Sequence, residues 1–249
     1  MSNKRQLNSH SDLQHSTKRR GNNSNQNDTM SATNRGRGKW GRQGSSSSSD
    51  EASAKEIYDQ IADPDDNCCS ASMEGISKLC EHLDIDPVED IRILVLLYKM
   101  GANSKPAQIS REEWMSGCQK LGLGDINSFK ALLPSLELGF MERADFRDFF
   151  KFCFKFNLEG TQKTLDKDLV VCLVDITLKE RIAGDRLANF KEFLNTTKDV
   201  SYDRITLDQW ISFLDFSIDC PDLSVYDEDS SAWPVLIDDY VDFSNGMKM

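Results

Sequence analysis

Residues 63–83, DPDDNCCSASMEGISKLCEHL, carry the two features on which the fold turns. The second half sets Met73, Ile76, Leu79, Cys80 and Leu83 at helical spacing, one apolar stripe on an otherwise polar helix. The first half reads Asp63-x-Asp65-x-Asn67 with Glu74 at the twelfth place, the carboxylate spacing of an EF-hand calcium loop set between two helices. Two residues argue against calcium. Cys68 stands at the sixth place, where the turn calls for glycine, and Ser70 at the eighth, where a hydrophobe is expected. A cysteine held in the left-handed region carries a steric cost that weakens the site. The expectation is an EF-hand-like turn without metal.

Outward from this stretch the helical spacing continues. Ile57 and Ile61 mark a stripe before it, and Ile91, Leu94, Val95 and Tyr98 one after it. Ser110 with Glu113 three residues on forms a capping box, opening a helix through Trp114, Cys118 and Leu121 to Gly122. The loop before that helix, around Gly101 to Glu113, keeps Ile109 and Glu113 but has no acidic residue at its start, so it too should hold no metal. Further helices are expected over about 126–138, 143–157, 166–178, 185–196, 206–218 and 233–243. No alternation of period two is sustained, so the predicted architecture is all-α. Residues 1–52 are rich in Ser, Asn and Gly and poor in aliphatics, and are expected to be a disordered tail. The body then runs 53–249, with an EF-hand-like part at 53–125 and a helical part at 126–249.

At 249 residues and 39% hydrophobic content, the chain can bury one core of ordinary size. No stretch approaches the roughly 20 apolar residues that cross a bilayer. The polar start MSNKRQLNSHSD has no signal-peptide core, and Ser2 excludes N-myristoylation, so a soluble intracellular protein is expected. Seven cysteines without a CxxC pair fit free, mostly buried thiols in a reducing compartment. The net charge of −11 is uneven: residues 1–50 carry +6, leaving −17 on the remainder. An acidic body repels nucleic acid and attracts basic protein surfaces. In the tail, Lys18-Arg19-Arg20 and Arg35 to Arg42 fit a nuclear import signal, a weak RNA contact or a merely solvated segment.

Catalytic groupings are scarce. Outside the tail the one histidine is His82, so neither a serine nor a cysteine nucleophile has a histidine base. No glycine-rich phosphate loop and no Cys/His cluster suited to zinc occurs. Cys153 in FKFCFKF and Cys172 in LVVCLVD fall in apolar runs, where burial would raise the thiol pKa and block access.

The C-terminal stretch Tyr226 to Phe243, YDEDSSAWPVLIDDYVDF, joins an acidic loop to a helix opened by Pro234. Leu236, Tyr240 and Phe243, with Ile237 and Val241 beside them, should face the core and leave Asp238, Asp239 and Asp242 toward solvent. This stretch resembles the C-terminal signature of the defective-in-cullin-neddylation family and its potentiating-neddylation domain. The likeness extends through LDQWISFLDF (207–216), FKFCFKF (150–156) and MEGISKLCEHL (73–83), covering roughly residues 55–243.

The resemblance implies two EF-hand-like units followed by a C-terminal helical part. It also implies a scaffold that helps a conjugating enzyme pass a ubiquitin-like modifier to a cullin, with no covalent intermediate and no cofactor. By the same resemblance the cullin-contacting positions are Asp208, Ala232 and Asp238, two carboxylates flanking a small residue. A pocket for the acetylated N-terminal methionine of the conjugating enzyme falls on Met73, Ile76, Ile93, Leu96, Ile109, Phe156, Leu165, Leu173 and Ile176, each of which also reads as plain core. Ser230-Ser231 departs from the acidic–glycine pair often found in the family at that point. The basic tail is similar to that of nuclear members, so nucleus and cytoplasm are the expected locations. The rival reading from the residues alone is a calcium-responsive EF-hand adaptor.

Overall fold

The computed structural model describes residues 48–228 and 232–246. The basic clusters of the tail and the pair Ser230-Ser231 lie outside the described residues. The first helix, α1 (Ser48–Ile61), opens earlier than the composition suggested: residues 48–52 are helix, with Asp50 and Glu51 in the first turn, where carboxylates offset the helix dipole. Then follow β1 (Ser70–Ser72), α2 (Met73–Leu83), α3 (Arg92–Met100), β2 (Gln108–Ser110), α4 (Arg111–Leu121) and α5 (Ile126–Leu132). The second half holds α6 (Arg143–Phe156), β3 (Thr164–Asp166), α7 (Lys167–Leu178), α8 (Gly184–Thr196), β4 (Arg204–Thr206), α9 (Leu207–Asp219) and α10 (Val235–Gly246). The single helix expected at 126–138 breaks at Leu132, because Pro134 lacks the N–H to continue it, and two 3₁₀ turns finish the segment.

Helix, loop, short strand, helix is the unit, and among the described residues it is used four times. β1 pairs antiparallel with β2, Ala71 opposite Ile109, and β3 with β4, Leu165 opposite Ile205. All four of these residues are buried, so each ribbon is a seam between two helical units. Three-residue strands leave no room for the alternation that would have revealed them in the sequence.

The two halves repeat one another in detail. Ser110 with Glu113 caps α4, and Thr206 with Gln209 caps α9, both as capping boxes. Four residues after each cap stands a buried tryptophan. The Trp114 indole N–H donates to the Ala54 carbonyl at 3.0 Å, and that of Trp210 to the Phe150 carbonyl at 2.9 Å, each partner sixty residues upstream. A buried indole N–H needs such a partner, and both helix pairs supply it at the equivalent turn. Tyr98 on α3 packs against Phe149 and Phe152 of α6, at 5.6 and 5.5 Å between ring centroids, and so joins the halves.

Candidate functional site

The acidic loop 63–74 adopts the turn its spacing predicts, with Asn67 at φ 49° and Cys68 at φ 56°, both left-handed. Three of its carboxylates have protein partners, while Asp65 is exposed. Asp63 accepts from the Ser72 backbone N–H at 3.0 Å and the Ser72 hydroxyl at 2.9 Å, one on each oxygen. Asp66 accepts from the Ser70 hydroxyl at 2.7 Å, and Glu74 pairs with Lys78 at 2.9 Å.

In the second loop Glu113 stands in the place of a metal's bidentate ligand and takes four donors. One oxygen accepts from the N–H groups of Asn103 (2.8 Å) and Ser104 (2.7 Å), the other from the N–H and hydroxyl of Ser110 (both 2.9 Å). Partial burial pushes this carboxyl upward, but the hydrogen bonds from Ser110, Ser104 and Asn103 outweigh it and hold it below its ordinary value. These four donors close the loop on the Glu113 carboxylate. Among the described residues no group of three or more His, Cys, Asp or Glu side chains is placed to hold a metal ion. At the places a calcium ion would use, Asp63 is thus bonded by Ser72 and Glu113 by Asn103, Ser104 and Ser110.

Cysteines divide by helix face. Cys80, Cys118 and Cys153 are buried, and burial pushes the first two thiols up to about 12 and the third well above its ordinary value. Cys172, expected to be buried in its apolar run, is exposed. Val170, Leu173 and Val174 take the inner face of α7 and leave Cys172 on the outer one. Cys69 is exposed as well, while His82 is an exposed helix residue.

The acidic C-terminal surface is built on α9 and α10, which pack together. Asp208 is exposed in the first turn of α9. Ala232 is exposed in the connector just ahead of α10, and Asp238 lies in the first turn of that helix. Ala232 and Asp238 flank the start of α10, while Asp208 sits about two turns before Phe216 on α9, and no hydrogen bond links the three positions. Leu236, Ile237, Tyr240 and Val241 are buried as the spacing predicts, and Phe243 is half-buried against Phe193, 5.6 Å between centroids.

Of the three outward carboxylates only Asp242 is fully exposed. Asp238 and Asp239 are half-buried, each accepting from a phenol: Tyr226 donates to Asp238, and Tyr202 to Asp239 at 2.5 Å. Burial, with Asp239 added, raises the Tyr202 phenol well above its ordinary value. Neither tyrosine stood out in the sequence, because the partner of each lies in a different element.

Arg186 was also missed. Nearly buried, it donates to the carbonyls of Cys220 (2.6 Å) and Pro221 (3.0 Å) at the end of α9, with its guanidinium 5.4 Å over the Phe216 ring. Such a site satisfies backbone carbonyls that the helix end leaves open.

The proposed pocket residues are mostly core. Ile76 on α2, Ile93 and Leu96 on α3, Ile109 in β2, Phe156 at the end of α6, Leu165 in β3 and Leu173 on α7 are all at most 4% exposed. Ile176 is half-buried, and Met73, at the start of α2, is 43% exposed. The Ala107 N–H donates to the Phe156 carbonyl at 2.7 Å, bringing the entry of β2 to the end of α6. Ile109 and Phe156 therefore share a neighbourhood. No helix of the described residues is long and apolar enough to cross a membrane.

A four-fold helix–loop–strand–helix body with an acidic connector and final helix defines a class, and comparison with known proteins identifies it: the chain belongs to the DCN1-like family. The cullin-binding family matches residues 128–243. DCN1-like protein 4 of Danio rerio is 31% identical over 177 residues, 71% of this chain and 60% of that protein. DCN1-like protein 2 of Dictyostelium discoideum is 35% identical over 170 residues, 67% of this chain and 60% of that protein. DCN1-like protein 5 of Homo sapiens is 30% identical over 171 residues, 68% of this chain and 69% of that protein. The chain thus spans about three fifths of the length of the first two of these relatives.

Proposed function

We propose that the protein is a scaffold-type co-ligase for cullin neddylation, holding a charged conjugating enzyme and a cullin together without itself forming a covalent intermediate. The observation that carries this reading is the cullin-binding match over residues 128–243, which takes in both Asp208 and the α10 carboxylates. Carboxylates flanking the small side chain of Ala232 suit close approach by a basic cullin surface. The second partner is the neddylation conjugating enzyme, whose acetylated N-terminus is assigned to the apolar set from Met73 to Ile176. Acetylation removes the ammonium charge that an apolar site would otherwise bury unpaired.

Tethering both partners raises their effective concentration and restricts orientation, so no group of the scaffold has to react. The buried thiols of Cys80, Cys118 and Cys153, with pKa values raised by burial, suit that role. The nucleus and cytoplasm are the proposed locations.

Reconstituted transfer of the modifier to a purified cullin tests the reading. The full chain is expected to accelerate the reaction without acquiring the modifier as a thioester. An unchanged rate over a range of scaffold concentrations would refute it.

A further inference from the structure

We propose that Tyr226 is a positioning residue for cullin docking: its phenol fixes the carboxylate of Asp238 and ties the connector that carries Ala232 to α10. The inference rests on the docking reading above and adds a residue to it.

The phenol O–H of Tyr226 donates to one oxygen of Asp238, and among the described residues no other hydrogen bond or ion pair reaches that carboxylate. The Tyr226 ring stands edge-on to Phe216, with centroids 5.4 Å apart and planes at 88°. Trp233, on the far side of Ala232, stands edge-on to the same ring at 5.7 Å and 78°. Phe216 is itself fully buried, with Arg186 over its face and Tyr240 at its edge, 6.4 Å away. Both flanks of the connector therefore rest on one fixed ring.

A carboxylate with one oxygen held by a phenol keeps the other for an incoming cation. It also has less rotamer freedom to lose when that cation binds. The neighbouring pair serves as an internal comparison. Tyr202 holds Asp239 by the same bond, but from the segment preceding α9, and Asp239 is outside the assigned docking set. Equal bonds should then have unequal consequences.

The test uses the full chain and a purified cullin, with affinity read by calorimetry and folding by thermal denaturation. Tyr226→Phe keeps the ring on Phe216 and removes only the hydroxyl. It is expected to weaken cullin binding about fivefold, whereas Tyr202→Phe stays within about twofold. In an Asp238→Asn background, Tyr226→Phe should cause no further loss, a coupling that a purely structural role would not produce. Unchanged or tighter binding by Tyr226→Phe, or the same loss in the Asp238→Asn background, overturns the proposal. If Asp238→Asn alone leaves binding unchanged, the docking assignment itself fails, which separates that failure from this one.

Discussion

The indole of Trp210 lies flat on the ring of Phe150, with centroids 4.1 Å apart and planes at 9°, and its N–H donates to the carbonyl of that same residue at 2.9 Å. One side chain thereby fixes the α6–α9 pair by stacking and by hydrogen bonding. Replacing Trp210 with Ala would leave a large void beside Phe150 and remove the indole's bond to its carbonyl, a change that typically costs about 3–5 kcal/mol. Urea unfolding should show that loss. Trp210→Phe, which refills part of the volume without the N–H, should lose roughly half as much.

Glu113 accepts four hydrogen bonds, whereas Gln209, its counterpart in the second half, accepts two through a single oxygen, from the N–H and hydroxyl of Thr206. Glu113→Gln should therefore destabilise the protein at neutral pH by about 1–2 kcal/mol, allowing for solvent access to the loop. Because the folded protein holds this carboxyl below its ordinary value, its contribution is present above the unfolded pKa and is lost as pH falls through the folded one. Melting temperatures of the two proteins should accordingly converge as acidification carries the pH below the ordinary carboxylate range. Added calcium should shift neither.

Asp208→Lys and Asp238→Lys should each weaken cullin binding by about tenfold or more, because each replaces an attractive carboxylate with a like charge facing a basic surface. The helical circular dichroism of Asp208→Lys should be unchanged, since Asp208 is exposed on the first turn of α9. Asp238→Lys also removes the acceptor of the Tyr226 phenol, so its melting temperature should fall as well. Raising the salt concentration should shrink the affinity gap between wild type and both variants.

Much of the fold was legible because most of its helices carry a clean apolar stripe, from Met73–Leu83 through to Val235–Gly246. The capping box at Ser110 located its helix to the residue. The strands were not legible: three residues cannot display a period, and their pairing is set by loops far apart in sequence. Cys172 was misplaced because a helix rich in apolar residues on both faces gives no phase. In the candidate site, the chain could place Asp238 on α10 but not the phenol of Tyr226 against it. That contact depends on the packing of Tyr226 and Trp233 against Phe216, an element away in sequence.

Cys69 and Cys172 are exposed, whereas Cys80, Cys118 and Cys153 are buried with their pKa values raised by burial. Brief treatment of the folded chain with iodoacetamide near neutral pH should therefore modify Cys69 and Cys172 ahead of the buried three, which peptide mass mapping would resolve. A scaffold that acts only by proximity needs none of these groups, so Cys69→Ser and Cys172→Ser, alone or together, should leave stimulation of cullin neddylation within about twofold of wild type. Substituting the buried cysteines is a different experiment, since each behaves as a small hydrophobe and its loss lowers stability by packing alone. For that reason the exposed pair gives the cleaner measurement. Loss of transfer in a Cys69→Ser or Cys172→Ser protein of unchanged melting temperature, or a modifier thioester trapped on either sulfur, would show that the chain takes a covalent part in the reaction.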